Sequence, residues 1–354
     1  MKKMLAILIC LVMVLTVFTG CSQSAPEETG GQEAPVEAGD ATEAKQRHAI
    51  IFKNTGNPFG EKMMEGFKTA IEELGHEAIL RAPDQPTAEA QIQMIEELIA
   101  QQVDSIALAA NDYDALQPVL TRAMNQGITV LTLDSTTNPD SRMVHINQAD
   151  PERIGRVQIE AVYDMIGGEG EIAVLSATSQ AANQNLWIEW MKTELEDPKY
   201  DNMELVRVAY GDDLRDKSVS ETEALLQSFP NLKGIIAPTT VGIAAAGRVL
   251  TDQGLQGEVH LTGLGLPSEM AAYIENGVCE WMYLWNPIDL GYLGGYASYA
   301  LVEGTITGAV GDTFDAGHLG AKEVIEASDG GTEVMLGDPF RFDADNINEW
   351  KDVY

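Results

Sequence analysis

The 354 residues carry 22 basic and 55 acidic side chains, a formal charge of −33. A field that negative repels phosphate backbones and excludes nucleic acid as a partner. With 45% hydrophobic and 6% aromatic residues the composition is globular, and without the apolar leader about 330 residues remain, enough for two domains.

The leader comes first in chain order. Lys2 and Lys3 precede an apolar run over residues 4–18 that is too short to favour a permanent membrane span. Thr19-Gly20 then sets small residues directly before Cys21, with Phe18 where an aliphatic is usual. That order resembles a bacterial lipoprotein signal, which implies export, lipidation of Cys21 and attachment to a membrane. Of the other cysteines, Cys10 leaves with the signal and Cys279 stands alone, so no disulfide framework is expected. Nothing near Cys279 would activate its thiol, and a buried, inert role is expected. The five histidines are far apart with no ligand-type spacing; neither a metal nor a cofactor is expected.

Residues 22–46, SQSAPEETGGQEAPVEAGDATEAKQ, hold no large apolar side chain. Such a segment cannot bury enough surface to order itself and reads as an acidic tether, spanning roughly 27 Å as a coil.

Strands and helices then alternate. HAIIFK (48–53) reads as a buried strand. A helix follows from about Pro58 to Leu74, with Met63, Phe67 and Ile71 on one face and Gly75 as its stop. EAILRA (77–82), a helix bearing Ile92, Ile95 and Ile99, SIALAA (105–110), a helix to about Gly127, ITVLTLD (128–134) and MVHIN (143–147) complete a first α/β block. Asp150-Pro151, an N-cap followed by proline at the first helical position, opens a second. It runs as helix 151–166, EIAVLSA (171–177), helix 184–195, strand 203–210, helix 214–228, GIIAP (234–238), helix 240–252, strand 258–262, helix 267–276 and WMYLW (281–285). The pattern predicts an α/β protein with two doubly wound parallel-sheet lobes. Neither lobe opens on a G-x-G-x-x-G turn, and no G-x-x-x-x-G-K-[ST] segment is present, which disfavours dinucleotides and nucleotide hydrolysis.

Open parallel sheets bind ligands at the carboxyl ends of their strands. That edge carries Lys53, Asn111, Asp112, Asp134, Ser176–Ser179, Pro238-Thr239-Thr240 and Trp285-Asn286, with the amide-rich segment Ala182-Asn183-Gln184-Asn185-Leu186-Trp187 beside them. An amine, a carboxylate, amides and aromatic planes suit a neutral polyhydroxylated ligand. Each residue alone has a plainer role: Lys53 a snorkelling charge, Asp134 a turn, Asn183 an N-cap, Trp187 core, Pro238 a strand end. Their shared location carries the argument. No nucleophile elbow, metal cluster or carboxylate pair points to an enzyme.

With those residues in place, the chain resembles the type I periplasmic sugar-binding proteins, the ribose-binding-protein-like class, over residues 47–354. Within it the likeness is to rhamnose-binding proteins of ABC importers, through KNTGNPFG (53–60), ANDYDAL (110–116), TLDS (132–135), INQAD (146–150), ANQNLWIEWM (182–191), YGDD (210–213), APTTVGIAAAGR (237–248), GLGLP (263–267) and LWNPIDLGYLGGY (284–296). Autoinducer-2 receptors are near relatives, and their ligand set falls here on Lys53, Asp134, Asn183, Gln184, Pro238 and Thr240. Asn183 stands where those receptors have aspartate, and Thr240 where they have alanine. Phe59, Trp187 or Trp285 would supply an apolar patch for the 6-methyl group of rhamnose.

The resemblance implies three chain crossings between lobes, near Gln148–Asp150, Trp285–Pro287 and Gly311–Thr313. The N-terminal lobe is then 47–148 with 287–311, and the C-terminal lobe 149–286 with 312–354. It further implies a monomeric receptor, either on the outer cell surface or in the periplasm, that closes over its ligand and is read by a membrane permease.

Overall fold

The computed structural model describes residues 45–354. The signal, Cys21 and all but the last two residues of the tether lie outside them.

Alternation of strand and helix begins at once. The chain runs through β1 (Arg47–Ile51), α1 (Pro58–Glu73), β2 (Glu77–Arg81), α2 (Ala88–Ala100), β3 (Ser105–Leu108), α3 (Gln117–Asn125), β4 (Thr129–Leu133) and β5 (His145–Asn147). Asn57 caps α1 by accepting from the N–H groups of Phe59 and Gly60, and Asp150 caps α4 (Pro151–Ile166) through Arg153 N–H. The series continues as β6 (Gly170–Ser176), α5 (Ala182–Glu194), β7 (Met203–Tyr210), α6 (Arg215–Ser228), β8 (Leu232–Ala237), α7 (Thr240–Asp252), β9 (His260–Gly263), α8 (Pro267–Glu275) and β10 (Trp281–Leu284).

Beyond β10 lie α9 (Pro287–Val302), β11 (Thr313–Asp315), β12 (Ala321–Glu323), β13 (Ile325–Glu326), β14 (Thr332–Met335), β15 (Phe340–Asp343) and α10 (Ile347–Trp350). One sheet has the order β13-β14-β5-β4-β3-β1-β2, parallel except for the β13–β14 pair. The other is β7-β6-β8-β9, parallel throughout. In each, the strand order turns back at an interior strand, β1 in the first and β6 in the second, which is where such sheets open a crevice.

The C-terminal segment departs from expectation. β14 lies beside β5, pairing Val334 with Ile146, so residues 332–335 complete the first sheet. β15 then pairs antiparallel with β10, which is bridged to the end of β9 through Leu264 and Tyr283. The third passage between sheets therefore falls at residues 336–339, not near Gly311–Thr313.

Helix α9 follows the second passage and packs on α1 through bare backbone. A Cβ at Gly291 would overlap the Met63 carbonyl oxygen, and one at Gly66 the Ile288 carbonyl oxygen. Neither helix can retreat, because Met63, Phe67, Leu290 and Leu293 are buried beneath the crossing. Gly291→Ala is expected to destabilise the protein by about 1–3 kcal/mol in chemical denaturation, the usual cost of overpacking. This outweighs a helix-propensity gain of up to about 1 kcal/mol.

Candidate ligand-binding site

Six strand ends, those of β1, β4, β7, β8, β9 and β10, converge on one cavity. Asp134 follows β4 with φ +63°, in the left-handed region that aspartate tolerates better than most side chains. Two further non-glycine residues in that region, Asp212 (φ +54°) and Asp213 (φ +52°), follow β7. Left-handed non-glycine backbone costs on the order of 1–3 kcal/mol per residue and gathers at binding sites.

Lys53 Nζ lies 2.8 Å from Asp134 Oδ2, with 8% and 6% of the two side chains exposed. The backbone under Lys53 is fixed by Asn111, whose Nδ2 donates to the Lys53 carbonyl at 2.8 Å while its own N–H donates to Gln91 Oε1. Both partners of the ion pair therefore follow strands of the first sheet.

The second sheet supplies the opposite wall. Gln184 Oε1 accepts from Ser176 Oγ at 2.7 Å and from Ala177 N–H at 2.8 Å. Its acceptor is spent on the protein, so the amide Nε2 is the end it can offer a ligand. Asn183 uses both ends of its side chain: Oδ1 accepts from Gln184 N–H, and Nδ2 donates to the Asp134 carbonyl at 3.2 Å. The latter bond joins the two halves directly.

Asp213 is the residue that sequence reasoning misses. It lines the cavity, accepts from Thr239 Oγ1, and faces Lys53 and Asp134. Burial raises its carboxyl above the ordinary range; Lys53 and the Thr239 hydrogen bond pull it back, while Asp134 and Asp212 push it further up. Its position just past the end of β7, in Gly211-Asp212-Asp213, is the available signal.

Aromatic rings close one end. Phe59 and Trp187 each meet Trp285 edge to face, with centroids 6.2 and 5.8 Å apart, and Phe52 lies 6.2 Å from Phe59. Gly60 lets the Phe52 ring press on the start of α1, where any Cβ would strike it. The Trp285 indole N–H is buried with no partner among the described residues.

Lys53, Asp134, Asn183, Gln184, Pro238, Thr240, Phe59, Trp187 and Trp285 thus border a single cavity of about 360 Å³, part of it open to solvent. Asn111 and Asn286, both expected there, lie outside its wall. Asn111 supports Lys53 from behind, and Asn286 caps α9 by accepting from the N–H groups of Ile288 and Asp289. Cys279 is buried and its thiol is pushed up by desolvation, as an inert role requires. Among the described residues no group of three acidic, His or Cys side chains could hold a metal. No helix among them is long and apolar enough to cross a membrane.

The geometry can be set beside known proteins. Residues 48–306 match the family model described as a periplasmic binding protein domain. An ABC-transporter solute-binding protein from Clostridium phytofermentas, solved with bound L-rhamnose, is 51% identical with a TM-score of 0.86, covering 88% of this chain and 99% of that one. LsrB from Clostridium saccharobutylicum, solved in complex with AI-2, shares the fold at 24% identity and TM-score 0.82, over 86% of this chain and 99% of that one. The D-ribose/D-allose-binding protein of Pseudomonas aeruginosa is 23% identical over 260 residues, 71% of this chain and 78% of that protein. Twin parallel sheets, a shared cavity at their strand ends and the family match agree: the chain belongs to the periplasmic binding protein family.

Proposed function

We propose that this protein is a lipid-anchored extracytoplasmic receptor that binds L-rhamnose, or a closely related monosaccharide, and presents it to the membrane permease of an ABC importer. The observation that carries the reading is the buried Lys53–Asp134 pair on one wall facing Gln184 and Asp213 on the other. A carboxylate engages neighbouring hydroxyls in pairs, the ammonium donates to a third, and the Gln184 amide donates from across the cleft. Each bond to a charged group contributes about 1.5–3 kcal/mol net, so three or four with ring contact supply the roughly 8 kcal/mol of micromolar binding. The aromatic corner of Phe59, Trp187 and Trp285 suits the methyl end of a 6-deoxy sugar.

Function follows from the two half-sites. Residues 47–148 with 287–335, and 149–286 with 340–354, act as lobes hinged at the three passages. A sugar that completes both walls favours the closed form only when both are engaged. A single copy supplies both walls, which supports a monomeric receptor.

Calorimetric titration of the purified protein tests the ligand. L-Rhamnose is expected to bind at micromolar affinity or better, and D-ribose much more weakly. No heat at millimolar L-rhamnose would remove that sugar. The Lys53, Asp134, Gln184 and Pro238 matches keep an autoinducer-2 receptor as the second reading. Ligand released by heat denaturation from signal-producing cells, scored with a reporter strain, distinguishes it.

Anchoring has its own test. Cys21→Ser is expected to move the protein from the membrane fraction to the soluble fraction almost completely. Continued membrane retention would count against lipidation at Cys21.

A further inference from the structure

A second, larger cavity adjoins the first and shares Asp134, Asn183 and Trp187 with it. Its empty volume is about 1140 Å³, some three times the first, part of it open to solvent. Both halves of the protein contribute: Tyr113, Arg142 and Gln148 from the first, Asn185 and Glu189 on α5 from the second. Asn183 and Asp134, joined by a 3.2 Å hydrogen bond, line both cavities.

Its polar groups are built and not fully used. Arg142 is buried and held by Asp329, both of whose oxygens lie 2.9 Å from Nη2, yet its Nε has no partner among the described residues. Gln148 is 1% exposed, and its Oε1 is likewise without a partner. A buried donor and acceptor without partners are costly. Charge narrows the choice. Arg142 is offset by Asp329 and Asp134 by Lys53, and Glu189 and Glu333 add negative charge, while burial holds His145 neutral with its pKa lowered to about 3. Such a lining repels carboxylated sugars and suits uncharged hydroxyls, with Tyr113 and Trp187 offering ring faces.

We propose that this cavity is a second saccharide subsite, taking a neutral sugar ring joined through a glycosidic bond to the ring held by Lys53 and Asp134. The ligand class then includes neutral deoxyhexose-containing disaccharides as well as the monosaccharide. This rests on the sugar-binding reading above.

The test is calorimetric titration of the purified protein with L-rhamnose, with neutral disaccharides carrying rhamnose at either end, and with the matching uronic-acid disaccharides. At least one neutral disaccharide should bind within tenfold of L-rhamnose, and the uronic forms at least tenfold more weakly than their neutral counterparts. Tyr113→Ala and Glu189→Ala, both outside the first cavity, should each weaken that disaccharide fivefold or more and leave L-rhamnose within twofold. If L-rhamnose binds and every disaccharide is rejected a hundredfold or more, the second subsite falls while the receptor function stands. A disaccharide bound with no response to either substitution would also overturn it, since the second ring would lie elsewhere. If L-rhamnose itself does not bind, the monosaccharide reading fails, and the substitutions on a bound disaccharide still decide the subsite.

Discussion

Asp134→Ala is expected to weaken L-rhamnose binding by about 10²- to 10⁴-fold in calorimetric titration. The carboxylate is 6% exposed and offers paired acceptors to neighbouring hydroxyls. Losing two charge-assisted hydrogen bonds removes about 3–6 kcal/mol. The fold should suffer far less. Alanine at φ +63° adds about 1–2 kcal/mol of backbone cost, and Lys53 retains Asp213 across the cleft as a counter-charge. Asp134→Asn, which keeps the backbone preference and one acceptor, should fall between the two. A loss of less than fivefold for Asp134→Ala would mean that the sugar is not held by this carboxylate.

The place of Asp134 in the cavity wall is legible in the amino-acid sequence alone, because a strand-end rule needs only a strand. The end of ITVLTLD sits where open parallel sheets place their ligands. The same rule reaches Lys53 and Pro238, and it fails where position is right but direction is not. Asn111 follows β3 as expected, yet its amide turns beneath the chain to hold the Lys53 carbonyl, and spacing along a sequence does not record that turn. Asn286 likewise looks polar and well placed, but Pro287 after it marks an N-cap, and its oxygen is taken by Ile288 and Asp289.

Two larger omissions have one cause each. Helix α9, PIDLGYLGGYASYALV, has no apolar stripe because α1 covers one side and the first sheet the other, so the helical period disappears into uniform burial. Strands β13, β14 and β15 have two to four residues each, too few for alternation to show. Their membership of different sheets is decided by pairing across nearly two hundred residues, Val334 with Ile146, and not by local preference. The third passage is misplaced for that reason. Asp213 lies in the YGDD segment without being singled out as a site residue; only its proximity to Lys53 and Thr239 reveals a half-buried charge facing the cavity.

That charge makes Lys53→Met the second large effect. Lys53 is the cation that pulls the Asp213 carboxyl down against burial, and methionine keeps the stem while removing it. Asp134 and Asp213 are then left in one cleft without Lys53 as their counter-charge. At pH 7.5 the variant is expected to bind L-rhamnose at least a hundredfold more weakly than the wild type. The pH dependence has a definite sign. A carboxyl whose proton affinity is raised in the closed form takes up a proton on closing, and removing Lys53 raises it further. Closure is unpenalised below the ordinary aspartate pKa of about 3.9 and loses free energy as pH climbs from there through the raised value. Lowering the pH from 7.5 towards 5 should therefore restore part of the lost affinity, with a much shallower response in the wild type. Adding Asp213→Asn to Lys53→Met removes the surplus charge, and should flatten the profile and recover affinity at neutral pH. Were the double variant as steep in pH as the single one, the titrating group would not be Asp213, and its place in the ligand wall would have to be given up.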